Sequence, residues 1–478
     1  MSIADSEFSR NADRLNDPTT RRRDVVGVIV GIFLALVILP IGVKLGPLHL
    51  SGTRFFLVLL ILPLAVNLLR GRYGPLIATD VLFALHFVWV TLALWVNNPD
   101  QVVENAGATG ADFLGAYLLG RASIRSRDDF LTLMRAVVAL IVLCSPFAVF
   151  EAVTGVSPLI EIADRIPFVS APPDLSIDRR LGLERVQLGF EHPIHWGVFC
   201  SLGTAFCLVG LQSTLTLFAR VLLTVLICLS GLLALSSGAI LSIAVQVGLI
   251  VWAMMFRTQP KRWLILLAGL TLCYVVVDLL SNRTPLRVFM SYATFSIDSA
   301  YWRATIFEWG MVNVWAHPVW GLGLNDWVRP VWMHTPSIDN FWLLSAMRYG
   351  IPGFVFLVVG YGYAIWRIGV RPFRADDPLW PQRRAWMFCF IGLTFALATV
   401  HIWGTLYALV FFLFGAGMWL FPGKDDAVRR SKIRYVQECP LPPFRSVNPV
   451  PYTRSLRPNF ACSGAPERSF CPSFDRDS

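Results

Sequence analysis

Charge is scarce in this chain. Only 15% of its 478 residues are Asp, Glu, Lys or Arg, against roughly 25% in soluble domains, so a water-soluble fold lacks the polar surface to enclose the rest. No polar block of domain size interrupts the apolar runs between Val25 and Phe421. No Gly-rich loop ends in Gly-Lys-Ser/Thr, and no Gly-x-Gly-x-x-Gly follows a strand, which excludes the usual nucleotide-phosphate cradles. The nine cysteines lie in apolar segments or in the C-terminal tail, with neither a disulfide framework nor zinc spacing. His and carboxylate residues do not cluster at metal-ligand spacing in the long loops. Neither a metal nor a cofactor is expected.

What the chain has is hydrophobicity: 55% of its residues, with a mean hydropathy of +0.59. Apolar segments fall near 25–43, 53–69, 76–95, 106–119, 130–153, 194–211, 217–235, 239–256, 263–280, 341–366, 386–402 and 406–421. The fourth is interrupted by Asp112 and several glycines. The composition therefore predicts an all-α, polytopic integral membrane protein with about twelve transmembrane helices. One membrane domain spans 25–421, after a cytoplasmic segment 1–24. Arg21, Arg22 and Arg23 precede a run too long for a cleaved signal, so the first helix is expected to be retained. From 422 to 478 the chain turns basic and rich in Pro and Ser without apolar periodicity, the pattern of a disordered cytoplasmic tail.

The net charge of +10 does not point to nucleic acid, because Lys and Arg gather at the ends of apolar runs rather than on one face. With the N-terminus in the cytoplasm, Arg70, Arg72, Arg121, Arg125, Arg127, Arg257, Lys261, Arg262 and the basic stretch Arg367 to Arg384 all fall inside. Short outer connections such as 97–105 carry almost none. Both termini are then cytoplasmic and two long connections, 154–193 and 281–340, are extracytoplasmic. Trp302, Ile306, Trp309 and Val312 recur in the second at helical spacing, followed by Trp315, Trp320, Trp327 and Trp332. Indoles in such number suit a membrane interface. Asp80, inside the third segment just past Arg72, reads as a local ion pair.

The long loops also carry Arg179, Arg180, Arg185, Arg283, Arg287, Arg303 and Arg329. Long loops escape the charge bias of topology, so two readings stand: contact with membrane lipid by snorkelling, or a diphosphate site, since a guanidinium fork matches phosphate oxygens. His192, His195 and His317 flank prolines and read as turn residues. Glu191 and Glu308 are secondary candidates, six and five residues from Arg185 and Arg303.

Arg185 opens Arg-Val-Gln-Leu-Gly-Phe-Glu-His-Pro before the sixth segment. Arg303 precedes His317-Pro318 and Gly321-Leu-Gly323. Asp339-Asn340 is followed by nine residues and then Gly350-x-x-Gly353. With the Ser236-Ser237-Gly238 turn, this order resembles the O-antigen ligase and Wzy-type polysaccharide polymerase superfamily of bacterial membrane glycosyltransferases. The resemblance implies a donor glycan on undecaprenyl diphosphate, transfer at the outer face of the inner membrane, and chain-length regulators and flippases as protein partners. By it, Arg185 and Arg303 hold the diphosphate and Asp339 accepts the proton of the attacking hydroxyl, with Arg179, Arg180, Glu191, Glu308, His334 and Asn340 as further substrate-binding candidates. The family's loop-terminal His is Asp339 here, and His334 lies five residues too early, which favours polymerase over ligase. An ordinary Asp is a weak base near neutral pH, so the role calls for desolvation. Asp339 also reads as the N-cap of the helix that follows. A transporter or flippase of lipid-linked sugars is the alternative of another class, but it would place its ionisable groups at mid-membrane.

Overall fold

The computed structural model describes residues 18–45, 48–173, 175, 179–180, 182–282, 288, 297–333, 335–371 and 377–421. Residues 424–478 lie outside the described residues, as do Arg283, Arg287 and His334.

The described chain is helical. In order it forms α1 Pro18–Ile38, α2 Gly52–Leu69, α3 Ala78–Asn97, α4 Val102–Thr109, α5 Ala116–Ser123, α6 Arg127–Thr154, α7 Pro158–Asp164, α8 Pro193–Ala205, α9 Leu217–Leu232 and α10 Ser237–Met255. These are followed by α11 Arg262–Leu280, α12 Ile297–Ala316, α13 Phe341–Val370, α14 Trp380–Leu397 and α15 Gly404–Ala416. Each apolar segment of the sequence lies mainly within a helix. Among the described residues, seven stretches are long and apolar enough to cross a membrane: α2, α3, α6, α8 with its extension to Gly210, α10, α11 and α13. The chain is thus a helical, multi-pass membrane protein.

Local chemistry sets the helix ends. Ser126 and Asp129 form a reciprocal cap on α6: Asp129 N–H donates to Ser126 Oγ at 3.2 Å and Ser126 N–H to Asp129 Oδ2 at 3.0 Å, a device worth about 1 kcal/mol. At the other end Gly155 takes φ +75° and stops the helix. The weak fourth segment resolves into α4 and α5 joined by a π-helical turn, Gly110–Gly115. That turn carries Asp112 toward α2, where Arg54 meets it at 2.7 Å.

Beside the helices, β1 Gly42–Leu45 and β2 Leu48–Ser51 pair antiparallel in a small hairpin. One expectation is corrected. Asp80 pairs with Arg121 at 2.9 Å rather than with Arg72, and also accepts from Tyr117 Oη and from Ile77 N–H. Arg72 instead donates to Asn67.

The main core runs through α1, α5, α6, α8, α14 and α15 and is dense in aromatics such as Phe33, Phe83, Trp196, Trp386 and Phe414. The second long connection has structure and a core of its own. In it Ile306 and Val314 of α12 pack with Trp327, Met333 and Ile338 beneath the start of α13. Of the four residues at helical spacing, Ile306 is buried, Trp309 partly so, and Trp302 is 36% and Val312 55% exposed, while Thr305, Gly310, Asn313 and Val314 also turn inward.

Candidate functional site

The segment that carries Arg185 is fixed from both sides. At the end of α6, the buried Glu151 carboxylate accepts from the N–H groups of Gln187 at 2.8 Å and Leu188 at 3.0 Å. Ser157 Oγ donates to the Leu188 carbonyl, and Glu184 N–H to Ala152 O at 3.1 Å. On the far side Val186 N–H donates to Leu233 O, in the turn between α9 and α10. Gly189 passes so close to the end of α1 that a Cβ there would sit 2.4 Å from Ile38 O, which accounts for the Gly-Phe of the motif.

The same turn collects three arginines. Arg180 Nη1 donates to Leu235 O at 2.9 Å, Arg185 Nε to Ala234 O at 3.3 Å, and Arg303 Nη2 to Ser237 Oγ at 3.0 Å. Leu235 holds φ +48°, a left-handed conformation that a branched side chain adopts at a cost of about 1–2 kcal/mol. It turns its carbonyl to Arg180. Arg303 reaches the turn from α12, which is held by Asn313. That buried amide donates to Val328 O at 2.8 Å and accepts from Val328 N–H at 2.9 Å.

Charge in this cluster is unbalanced. Burial lowers Arg185 to about 10, with Arg180 adding to the effect and Asp339 opposing it. Arg303 is likewise lowered by burial, with Asp339 opposing and Arg180 adding. Both stay protonated at neutral pH, so three guanidinia share the field of one carboxylate. Arg303 Nη1 is buried without a hydrogen-bond partner among the described residues. An orphaned cationic donor in such a place costs several kcal/mol unless an anion meets it.

Asp339 lines a cavity of about 400 Å³ with His192, Asn325, Trp327, Arg348, His401 and Trp403 among its walls. Arg185 and Arg303 stand beside this cavity and do not line it. His192 links the two places: it lines the cavity, and burial, His195, Arg185 and Arg180 together lower it to about 4, so the imidazole is neutral. Its Nδ1 accepts from Ile194 N–H at 3.1 Å, which caps α8.

Other candidates have separate positions. Arg179 is exposed and pairs with Glu184. Glu191 is held by His195 Nδ1 at 3.1 Å and by Thr405 N–H and Oγ1, both at 2.9 Å. It thereby fastens α15 to the start of α8. Burial alone would raise the Glu191 carboxyl, but these donors hold it below its ordinary value. Glu308 lies on the exposed face of α12. The cap of α13 is Asn340, whose Oδ1 accepts from Leu343 N–H at 3.0 Å. The capping role read for Asp339 is therefore corrected: Asp339 accepts from Ser337 Oγ at 3.1 Å and is free of the helix end.

The glycine motifs form one joint. Gly350 takes φ +68° and breaks α13. This break frees the carbonyls of Met347 and Arg348 to accept from Leu322 and Gly323 N–H at 2.8 and 2.9 Å, while Ile351 N–H donates to Pro318 O at 2.7 Å. A Cβ on Gly350 would lie 2.1 Å from Val319 O. The Pro-x-x-Gly-x-Gly and Gly-x-x-Gly signals are the two halves of this contact, which sets Asp339 and Arg348 at one cavity.

Residues 222–358 match the family model described as O-antigen ligase. The matched segment takes in the arginine-bearing turn, α12, Asp339 and the glycine joint, and in it the chain is similar to that family; Arg180 and Arg185 lie before it. No curated protein matches the chain. Among the described residues of the matched segment and its surroundings, Glu151, His401, Arg348 and Trp403 were not singled out by motif, and His192 was read only as a turn residue. Glu151 and Arg348 left one signal, a lone charge within an apolar run.

Proposed function

We propose that this protein is a metal-independent membrane glycosyltransferase that polymerises undecaprenyl-diphosphate-linked oligosaccharide repeat units at the outer face of the bacterial inner membrane. The observation that supports it is the cluster of Arg180, Arg185 and Arg303 around one turn, with an unpaired buried Nη1 on Arg303 and a single nearby carboxylate. A diphosphate supplies the missing negative charge, and it is the leaving group whose charge grows as the bond breaks.

In this reading the acceptor hydroxyl oxygen bonds to the anomeric carbon of the donor. The bond from that carbon to the diphosphate oxygen breaks, the diphosphate departs on its lipid, and the hydroxyl proton passes to Asp339. Arg185 and Arg303 hold the diphosphate throughout, and Arg180 strengthens the field. The reading carries the twelve-span topology with it: 1–24 and 422–478 in the cytoplasm, 154–193 and 281–340 outside.

The family description favours a second reading within the class, a ligase that passes finished glycan to lipid A core or protein. Asp339, in place of the family's His, favours the polymerase. Proteoliposomes holding the purified chain and a synthetic polyprenyl-diphosphate repeat unit separate the readings. A ladder of extended lipid-linked products is expected. Transfer only after lipid A core is added would give the ligase, and passage of the lipid across the bilayer without bond formation would give a transporter.

A further inference from the structure

Arg348 is a cation without an assigned task. It sits in the outer part of α13, immediately before the break at Gly350, with its backbone carbonyl pinned by Gly323 N–H. Its side chain lines the 400 Å³ cavity that holds Asp339 and also an adjoining one of about 220 Å³ that reaches Arg54 and Asp112. The acids of both cavities are engaged elsewhere. Asp112 belongs to Arg54 and Asp326 to Arg329, and Asp339 lies in the field of Arg185 and Arg303. No ion pair to Arg348 occurs among the described residues. An ionisable group at membrane depth without a neutralising partner marks a ligand path.

The rest of the wall suits a sugar. Trp403, 37% exposed, brings to the wall an indole against which the C–H face of a pyranose can pack, and Asn325 offers an amide for hydroxyls. The volume falls within the roughly 300–1,000 Å³ of small-molecule sites. The donor-side arginines do not line this cavity, whereas Asp339 does, so its occupant is the molecule whose hydroxyl gives up a proton.

We propose that this cavity is the acceptor subsite and that Arg348 selects an acceptor whose terminal sugar bears a carboxylate, such as a uronic acid. The assignment rests on the glycosyltransferase reading for the role of Asp339 but not for the binding itself. A planar guanidinium meets a carboxylate through two parallel N–H···O bonds, which an ammonium cannot reproduce. The glycine joint fixes the backbone beneath Arg348, so the fork is presented on a rigid element.

The test is calorimetric titration of the full chain in nanodiscs with a glucuronate-terminated trisaccharide and with its glucose-terminated counterpart. The acidic sugar is expected to bind at least about tenfold tighter, with Arg348→Gln removing the difference and Arg348→Lys keeping part of it. The preference of the unaltered protein stands as a result even if the Gln variant fails to fold. Equal binding of the two sugars, binding of neither, or an undiminished preference in a folded Arg348→Gln variant overturns the proposal. Competition by inorganic diphosphate but not by glucuronate also overturns it, because Arg348 would then serve the donor. A persistent acidic preference together with no product from any polyprenyl-diphosphate donor would bring down the glycosyltransferase reading and leave the subsite standing.

Discussion

Two kinds of arginine occupy this membrane protein. Arg121 and Arg54 are matched one to one: Arg121 with Asp80, at 5% and 2% side-chain exposure, and Arg54 with Asp112 at 2.7 Å. Arg180, Arg185 and Arg303 are instead held by carbonyls and a hydroxyl, neutral acceptors that orient a guanidinium without cancelling its charge. In the first kind the chain completes its own electrostatics, and the pair acts as a strut between helices. In the second the chain builds the cationic half of a contact and leaves the anionic half to something else. The difference teaches that burial of arginine alone does not mark a functional site; several guanidinia gathered on neutral acceptors at one turn are the stronger sign.

Substitutions sharpen that contrast. The largest effect is expected at the one acid facing the unmatched cluster: Asp339→Asn should lower chain extension by about 10²–10⁴ at matched protein levels. Because Asn340 provides the helix cap, Asp339→Ala should lose as much turnover with no added loss of stability, whereas Asn340→Ala should destabilise by about 1 kcal/mol. Equal melting temperatures for Asn340→Ala and the unaltered protein would reverse that division. Arg303→Lys should follow, with turnover down by about 10²–10³ and melting unchanged, since Lys keeps the charge but cannot bond Ser237 and a phosphate oxygen together. Wild-type turnover at saturating donor would return Arg303 to the class of anchors.

For the matched kind the readouts exchange places. Arg121→Gln leaves Asp80 buried without its cation and should destabilise by about 3–5 kcal/mol, seen as a lower melting temperature in detergent, while each folded molecule keeps its activity. The smallest effect is in pH. His192 and His401 sit at about 4 and about 3, lowered chiefly by burial, against 6.5 for an ordinary His. Below pH 6.5 the unfolded chain binds protons that the folded chain refuses. Stability is therefore fully present above pH 6.5 and declines as pH falls from there toward 4. Glu191, held below its ordinary 4.5, adds a decline only below that value. Thermal unfolding followed from pH 7.5 to 5 should show the slope, and His401→Gln should flatten it.

The sequence made some of this legible. Hydropathy alone located the apolar segments, because a membrane helix announces itself by length. The motifs recorded the spacing of Arg185, Arg303, Asp339 and the glycines along the chain; in the fold Arg185 and Arg303 meet one turn, while Asp339 lines a cavity that neither of them lines. Pairings were hidden where the partners are far apart: Arg54 lies 58 residues from Asp112 and Asp80 lies 41 from Arg121, and no local pattern links them. The hairpin at Gly42–Ser51 was missed because four-residue strands are too short to show a period of two. His401 and Trp403 escaped because only the tertiary fold brings the α14–α15 connection to Asp339.

One helix contrasts with all of this. None of the nineteen residues of Arg262–Leu280 is buried, although its mean hydropathy of 2.3 is among the highest in the chain. Trp263 meets the Phe388 ring edge-on at 5.8 Å, but the side chains beyond it carry little packing information, and what the molecule takes from them is chiefly a length. The segment is long and apolar enough to cross a membrane. An apolar run of equal length and different sequence would serve the same purpose, so this is the stretch where the chain is freest to drift.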